Sequence, residues 1–135
     1  MIQRIQTVLL FLAFMLDGLA FFNPIYSHAM DDPQVWIGIG FALLLTAAGI
    51  MSMLCIFFYK DRPKQKTWVK RTMLIQVLAT GWSVGILFSL GGFGTFLWDE
   101  TLGIGFIVLA LVLQALALRY IKKDEELVKS MDRIR

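Results

Sequence analysis

Asp17 is the residue whose type is hardest to reconcile with its surroundings, because it interrupts the apolar run VLLFLAFMLDGLAFF. An ionised carboxylate in such a run costs several kcal/mol unless it is paired or wet, and carboxylates of this kind often mark proton or cation pathways. Thr46, Trp82 and Ser83 lie in other apolar stretches and could donate hydrogen bonds to it; failing that, the group is held neutral. Two amides, Gln76 and Gln114, are likewise set among apolar residues and could satisfy each other. Beyond these the inventory is thin. The single histidine, His28, and the single cysteine, Cys55, cannot make a zinc cluster, a disulfide or a Ser-His-Asp set. Cys55 reads as a small packed apolar residue. His28, Asp31 and Asp32, with Asp99 and Glu100, form an oxygen-rich group that could bind a divalent cation. Acidic loops also remain on one side when the basic residues are kept on the other. No metal, cofactor or catalytic residue is therefore expected.

The elements that must position these residues follow from composition. Of 135 residues, 58% are hydrophobic and only 17% charged, with a mean hydropathy of +0.70. A soluble domain this small could not hide so much apolar side chain, which excludes a soluble enzyme, a disordered tail and a disulfide scaffold. Four apolar stretches, about 5–22, 35–59, 72–90 and 101–120, each approach the ~20 residues that a helix needs to cross ~30 Å of hydrocarbon. Period-two alternation is absent, and an open sheet edge cannot survive in lipid. The expected fold is an all-α membrane protein with one domain over 1–135. It has four transmembrane helices, polar connectors at Asn23–Gln34, Lys60–Arg71 and Gly91–Glu100, and a tail at 121–135. Asp17 and the lack of a small-x-small site argue that the first stretch is a retained span rather than a signal peptide. Gly91, Gly92 and Gly94 read as a flexible turn.

Charge sets the direction. All thirteen Lys and Arg fall on one side of this scheme: Arg4, the six of the second connector, and the six from Arg119 onward. The positive-inside rule then places both termini and the middle loop in the cytoplasm of an inner membrane. Tyr26, Trp36 and Trp98 mark one boundary and Tyr59, Trp68 and Tyr120 the other, as aromatic belts do.

Counting at ~1.5 Å per residue places Asp17 ~18 Å from the inner surface, in the outer half. The same count puts Gln76 and Gln114 together in the inner leaflet, as structural glue worth ~0.6–2 kcal/mol. Small residues at spacings of four (Gly38, Ala42 and Thr46; Gly81, Gly85 and Ser89) and the pair Thr101 and Gly105 permit close helix packing. They serve this bundle, or else a partner helix or second copy.

On the cytoplasmic side thirteen basic residues face five acidic ones, Asp61, Asp124, Glu125, Glu126 and Asp132. In the tail, Leu127, Val128, Met131 and Ile134 fall at helical spacing, and Glu125 with Lys129 makes an i,i+4 pair. This predicts a short amphipathic helix, continuing from the fourth span or lying on the membrane. Attraction to anionic lipid heads accounts for the charge at ~1 kcal/mol per basic residue. The sharper reading is a docking surface for protein or ribosomal RNA, built from Lys64, Lys66, Lys70, Arg71, Lys122, Lys123, Leu127, Val128, Met131, Arg133 and Arg135. Nothing points to DNA. The two ends, MIQRIQT and KKDEELVKSMDRIR, resemble those of an uncharacterised family of small four-helix inner-membrane proteins of Bacteroidota. Lys129 and Met131 depart from the Arg and Ala usual there. The resemblance implies a compartment and a topology, not a reaction. Two functions are expected to compete: a non-enzymatic accessory subunit of a larger membrane complex, for example for protein export or secretion, and a small proton- or cation-coupled transporter working as a homodimer through Asp17.

Overall fold

The computed structural model describes residues 2–92 and 97–134. Five α-helices follow in order: α1 Ile2–Ala20, α2 Pro24–Asp31, α3 Val35–Phe57, α4 Arg62–Ser89 and α5 Trp98–Ile134, with a 3-10 turn at Phe58–Lys60. Three of them, α3, α4 and α5, are long and apolar enough to cross a membrane. The number becomes four if α1 and α2, bent by 51° where they meet, count as one span.

Each long helix buries a stripe that steps by three and four. In α1 it is Gln6, Leu10, Ala13, Asp17 and Ala20. In α4 it is Gln65, Val69, Thr72, Gln76, Ala79, Ser83 and Ile86. That repeat keeps one seam facing inward along nearly parallel or antiparallel axes. α1 packs on α3 and α5, and α4 packs on the same two, so the helices stand at the corners of a square with α1 diagonal to α4 and α3 diagonal to α5. Ala20, Ile25, Phe41, Leu45, Leu87 and Ile107 fill one end of the core. Leu10, Cys55, Val69, Ala117 and Ile121 fill the other.

Three expectations change. The connector 23–34 is not a polar loop, because residues 24–31 are α2. Asn23 caps that helix by accepting from the Ile25 amide at 3.0 Å; Pro24 stands in the first turn, where its missing N–H costs nothing. Ile25 and Ala29, one turn apart, are fully buried, and two apolar residues among eight are too faint a pattern to read. The third span starts at Arg62 rather than Thr72. Asp61 caps it by accepting from the Lys64 amide; Lys64, Lys70 and Arg71 take exposed positions and Arg62 and Lys66 half-buried ones, which a helix accepts as readily as a loop. Of the two alternatives for the tail the first holds, since α5 runs unbroken through it to Ile134. Asp99 and Glu100 form the first turn of α5 rather than a loop, where their charge suits the helix dipole. α4 ends at Gly91 and Gly92, whose φ of 120° and 83° few other residues adopt. Gly94 lies outside the described residues.

Candidate functional site

At mid-height one polar side chain from each of the four long helices joins a single hydrogen-bonded brace. The Gln76 Nε2 donates to Asp17 Oδ1 at 2.7 Å and to the Ile107 carbonyl at 3.2 Å. Gln114 Nε2 donates to Gln76 Oε1 at 3.2 Å and to Ser52 Oγ at 3.0 Å. The Asp17–Gln76 bond spans one diagonal of the square and the Gln114–Ser52 bond the other. All four residues are buried, Asp17 to 1% exposure. Their donors and acceptors orient both amides, yet Asp17 Oδ2 and Gln114 Oε1 have no partner among the described residues.

The two glutamines meet as their equal depth requires. Asp17, however, joins them, and this corrects its placement. A depth counted from where the charges begin separates Asp17 from Gln76, but α4 starts ten residues before Thr72. Asp17 and Gln76 stand level, Gln76 near the middle of α4 and Asp17 in the last turn of α1. The three donors proposed for Asp17 are engaged elsewhere. The Thr46 hydroxyl bonds Ala42 of its own helix, Ser83 bonds Thr80, and Trp82 Nε1 donates to the Ile37 carbonyl. Ser52 was missed. Its signal was its place on the buried stripe of α3, between Ala48 and Cys55.

The small-residue stripes divide. Gly38 is buried, and a Cβ there would come within 2.6 Å of the Ala29 carbonyl oxygen. Gly81, Gly85 and Gly105 are exposed, with nothing within 4 Å of a Cβ, so packing inside the bundle is not their role. Ala42 is half-buried and Thr46 exposed. Spacing by four identifies a common face without saying which way it turns. The glycines that admit neighbours closely are Gly38, Gly40 under Trp82, and Gly103 under Asn23.

At the opposite end from α2 the charges pair across helices. Arg62 meets Asp124 at 2.7 Å and Lys66 meets Glu125 at 2.6 Å. Lys129 also reaches Glu125, at 3.0 Å, and Lys64 reaches Asp61 at 3.1 Å. Hydrogen bonds from Lys66 and then Lys129 hold the Glu125 carboxyl down at about 2. Lys66 is thus half-buried in a pair between α4 and α5, while Lys64 stays exposed beside Asp61 of its own turn. Lys70, Arg71, Lys122, Lys123, Leu127, Met131 and Arg133 are exposed, and Val128 is half-buried. Arg135 lies outside the described residues. At the α2 end His28 Nε2 contacts Glu100 Oε1 at 3.2 Å, while Asn23 Nδ2 donates to the Asp99 carbonyl at 2.8 Å. No three His, Cys, Asp or Glu among the described residues form a metal-binding group.

A family described as "Domain of unknown function (DUF4293)" matches residues 32–134, more than three quarters of the chain. The chain belongs to this family. The DUF4293 segment spans α3, α4 and α5, and so supplies Ser52, Gln76 and Gln114 of the brace, while α1 with Asp17 precedes it. Of the two ends that carried the resemblance, only KKDEELVKSMDRI falls inside the DUF4293 match. No curated protein and no solved structure matches the chain.

Proposed function

We propose that the chain is a non-enzymatic subunit of a larger inner-membrane assembly, with four spans and both ends cytoplasmic, that docks through the projecting end of α5. One observation carries this reading. Opposite Asp124, α4 begins, yet α5 continues for ten more residues, about 15 Å at 1.5 Å each. Along that projection Leu127, Met131 and Ile134 are exposed by 44%, 61% and 86%, and their spacing of four and three sets them on one line. Such a stripe outside the bundle is unfavourable in water unless something covers it. Lys122, Lys123 and Arg133 beside it favour an acidic partner surface. The Arg62–Asp124 and Lys66–Glu125 pairs fix the root of the projection, so the stripe is presented in a set direction. The grouping of Lys and Arg at this end supports the cytoplasmic assignment. Protein export or secretion is the class of machinery proposed, because a cationic surface suits work beside ribosomal RNA or a nascent chain.

The coupled-transporter reading draws less support, since the space beside Asp17 is about 120 Å³, below the ~300–1,000 Å³ of ordinary ligand pockets. The test is purification from native membrane in mild detergent with Leu127, Met131 and Ile134 all changed to Ser. Loss of a stoichiometric set of partners, with helicity unchanged, is expected. Retention of that same set refutes docking through α5.

A further inference from the structure

We infer that the lateral notch between α1 and α3 is a proton-binding site, with Asp17 taking the proton and the notch as its entrance. This does not depend on the docking reading. Phe14, Asp17 and Gly18 of α1 face Leu45, Thr46 and Gly49 of α3 across a space of about 120 Å³. Asp17 lines that space while buried to 1% exposure. One of its oxygens is committed to Gln76, and the other has no partner among the described residues.

The groups around Asp17 decide what can occupy it. Gln76 faces it from α4, the Ile107 carbonyl and Gln114 from α5, and Gly49 and Ser52 from α3; none of these titrates. The cations closest along the chain to the two brace glutamines are Arg71, five residues before Gln76, and Arg119, five after Gln114. Both are exposed, and Arg71 lies over the Trp68 ring at 5.3 Å. Cys55, on the next turn of α3 after Ser52, is engaged with Thr72. An ionised Asp17 would therefore stand without a counter-charge in an apolar bundle. A metal cation wants about six oxygens, and the notch offers Asp17 Oδ2 and the Thr46 hydroxyl. An organic substrate needs more room. A space of about 120 Å³ has room for a water, which needs at least two polar partners, and Asp17 Oδ2 and the Thr46 hydroxyl are those two. Water and the proton it carries fit.

The step is simple. A hydronium in the notch forms an O–H bond to Asp17 Oδ2 and leaves as water, and the carboxylate becomes a neutral acid with no change of oxidation state. Oδ1 keeps its bond from Gln76 in both states, so the brace persists while its charge changes by one.

The test uses the full chain in nanodiscs of phosphatidylethanolamine and phosphatidylglycerol. Infrared difference spectra should show a carboxylic-acid carbonyl band at neutral pH that shifts in heavy water, disappears on alkalinisation, and is missing from Asp17→Asn. Gly18→Leu adds bulk where nothing lies within 4 Å of a Cβ, and should slow hydrogen–deuterium exchange of that band at least tenfold. A carboxylate at every pH, or an acid band that never titrates, overturns the site. Unchanged exchange in Gly18→Leu overturns the entrance. If Asp17→Asn does not fold, the wild-type band and the Gly18→Leu rate still decide the matter.

Discussion

Replacing Gly38 by Ala tests whether α2 is truly part of the bundle. The added methyl would lie 2.6 Å from the Ala29 carbonyl oxygen and 2.9 Å from Met30 Sδ, against an ordinary contact of 3.4 Å or more. A carbonyl in a helix cannot swing aside, so α2 must retreat by about 0.8 Å from α3. Overpacking of this kind costs ~1–3 kcal/mol. The same retreat would stretch the 2.8 Å Asn23–Asp99 bond towards about 3.6 Å, beyond hydrogen-bond reach, and lose a further ~0.6 kcal/mol. The total is about 2–3.5 kcal/mol, at least a tenfold shift in the unfolding equilibrium. The assay is reversible unfolding in mixed micelles with rising sodium dodecyl sulfate, followed by the fluorescence of Trp36 and Trp82. Gly81→Ala is the control, because nothing lies within 4 Å of its added carbon; it should stay within about 0.5 kcal/mol of wild type. Wild-type stability in Gly38→Ala, or a larger loss in Gly81→Ala, would refute the packing of α2 on α3.

Gln76→Leu removes the donor to Asp17 and Ile107 and the acceptor for Gln114. At ~0.6 kcal/mol for each of three bonds it should cost about 2 kcal/mol in the same titration; a neutral result would mean the brace contributes nothing. Asn23→Ala removes the cap of α2 and its bond to Asp99 and should cost ~1–2 kcal/mol, read by faster hydrogen exchange confined to 24–31. Glu125 is held well below its ordinary 4.5, so the stability it lends α5 against α4 is complete above about pH 4.5 and is lost as pH falls towards about 2. The distance between spin labels at Thr67 and Met131 should broaden over that range in the wild type. Glu125→Gln should be broad throughout, and identical curves for the two would dismiss the role of the Lys66 pair.

The legible features were those that depend on one dimension. Hydropathy marks four apolar stretches because lipid selects on length and composition, and Gln76 meets Gln114 because counting along a helix measures height. Rotation and overrun were hidden. Gly81 and Gly38 carry the same spacing signal, yet only Gly38 faces a neighbour, since the facing residue (Ala29) belongs to an element that two buried side chains barely announce. The partner of Asp17 is hidden because the boundary of charge is not the boundary of the helix: α4 begins nine residues before its last charge, Arg71. The Lys66–Glu125 pair needed both ends of a contact 59 residues apart, which no local pattern contains.

The Asp17–Gln76 bond also has a consequence for how the chain is made. Its two residues are separated by 59 positions, and ribosomes add ~5–20 residues each second. In a membrane-inserted chain, α1 therefore waits about 3–12 s with its carboxylate unmet, and the last tie of the brace arrives only when Gln114 has been synthesised. An aspartate in a span weighs against insertion, by up to ~2.5–3.5 kcal/mol at the centre. α1 thus leaves the ribosome 59 residues ahead of the group that satisfies its carboxylate, and its hold on the bilayer in the interval rests on its leucines and phenylalanines or on a helper that shelters it.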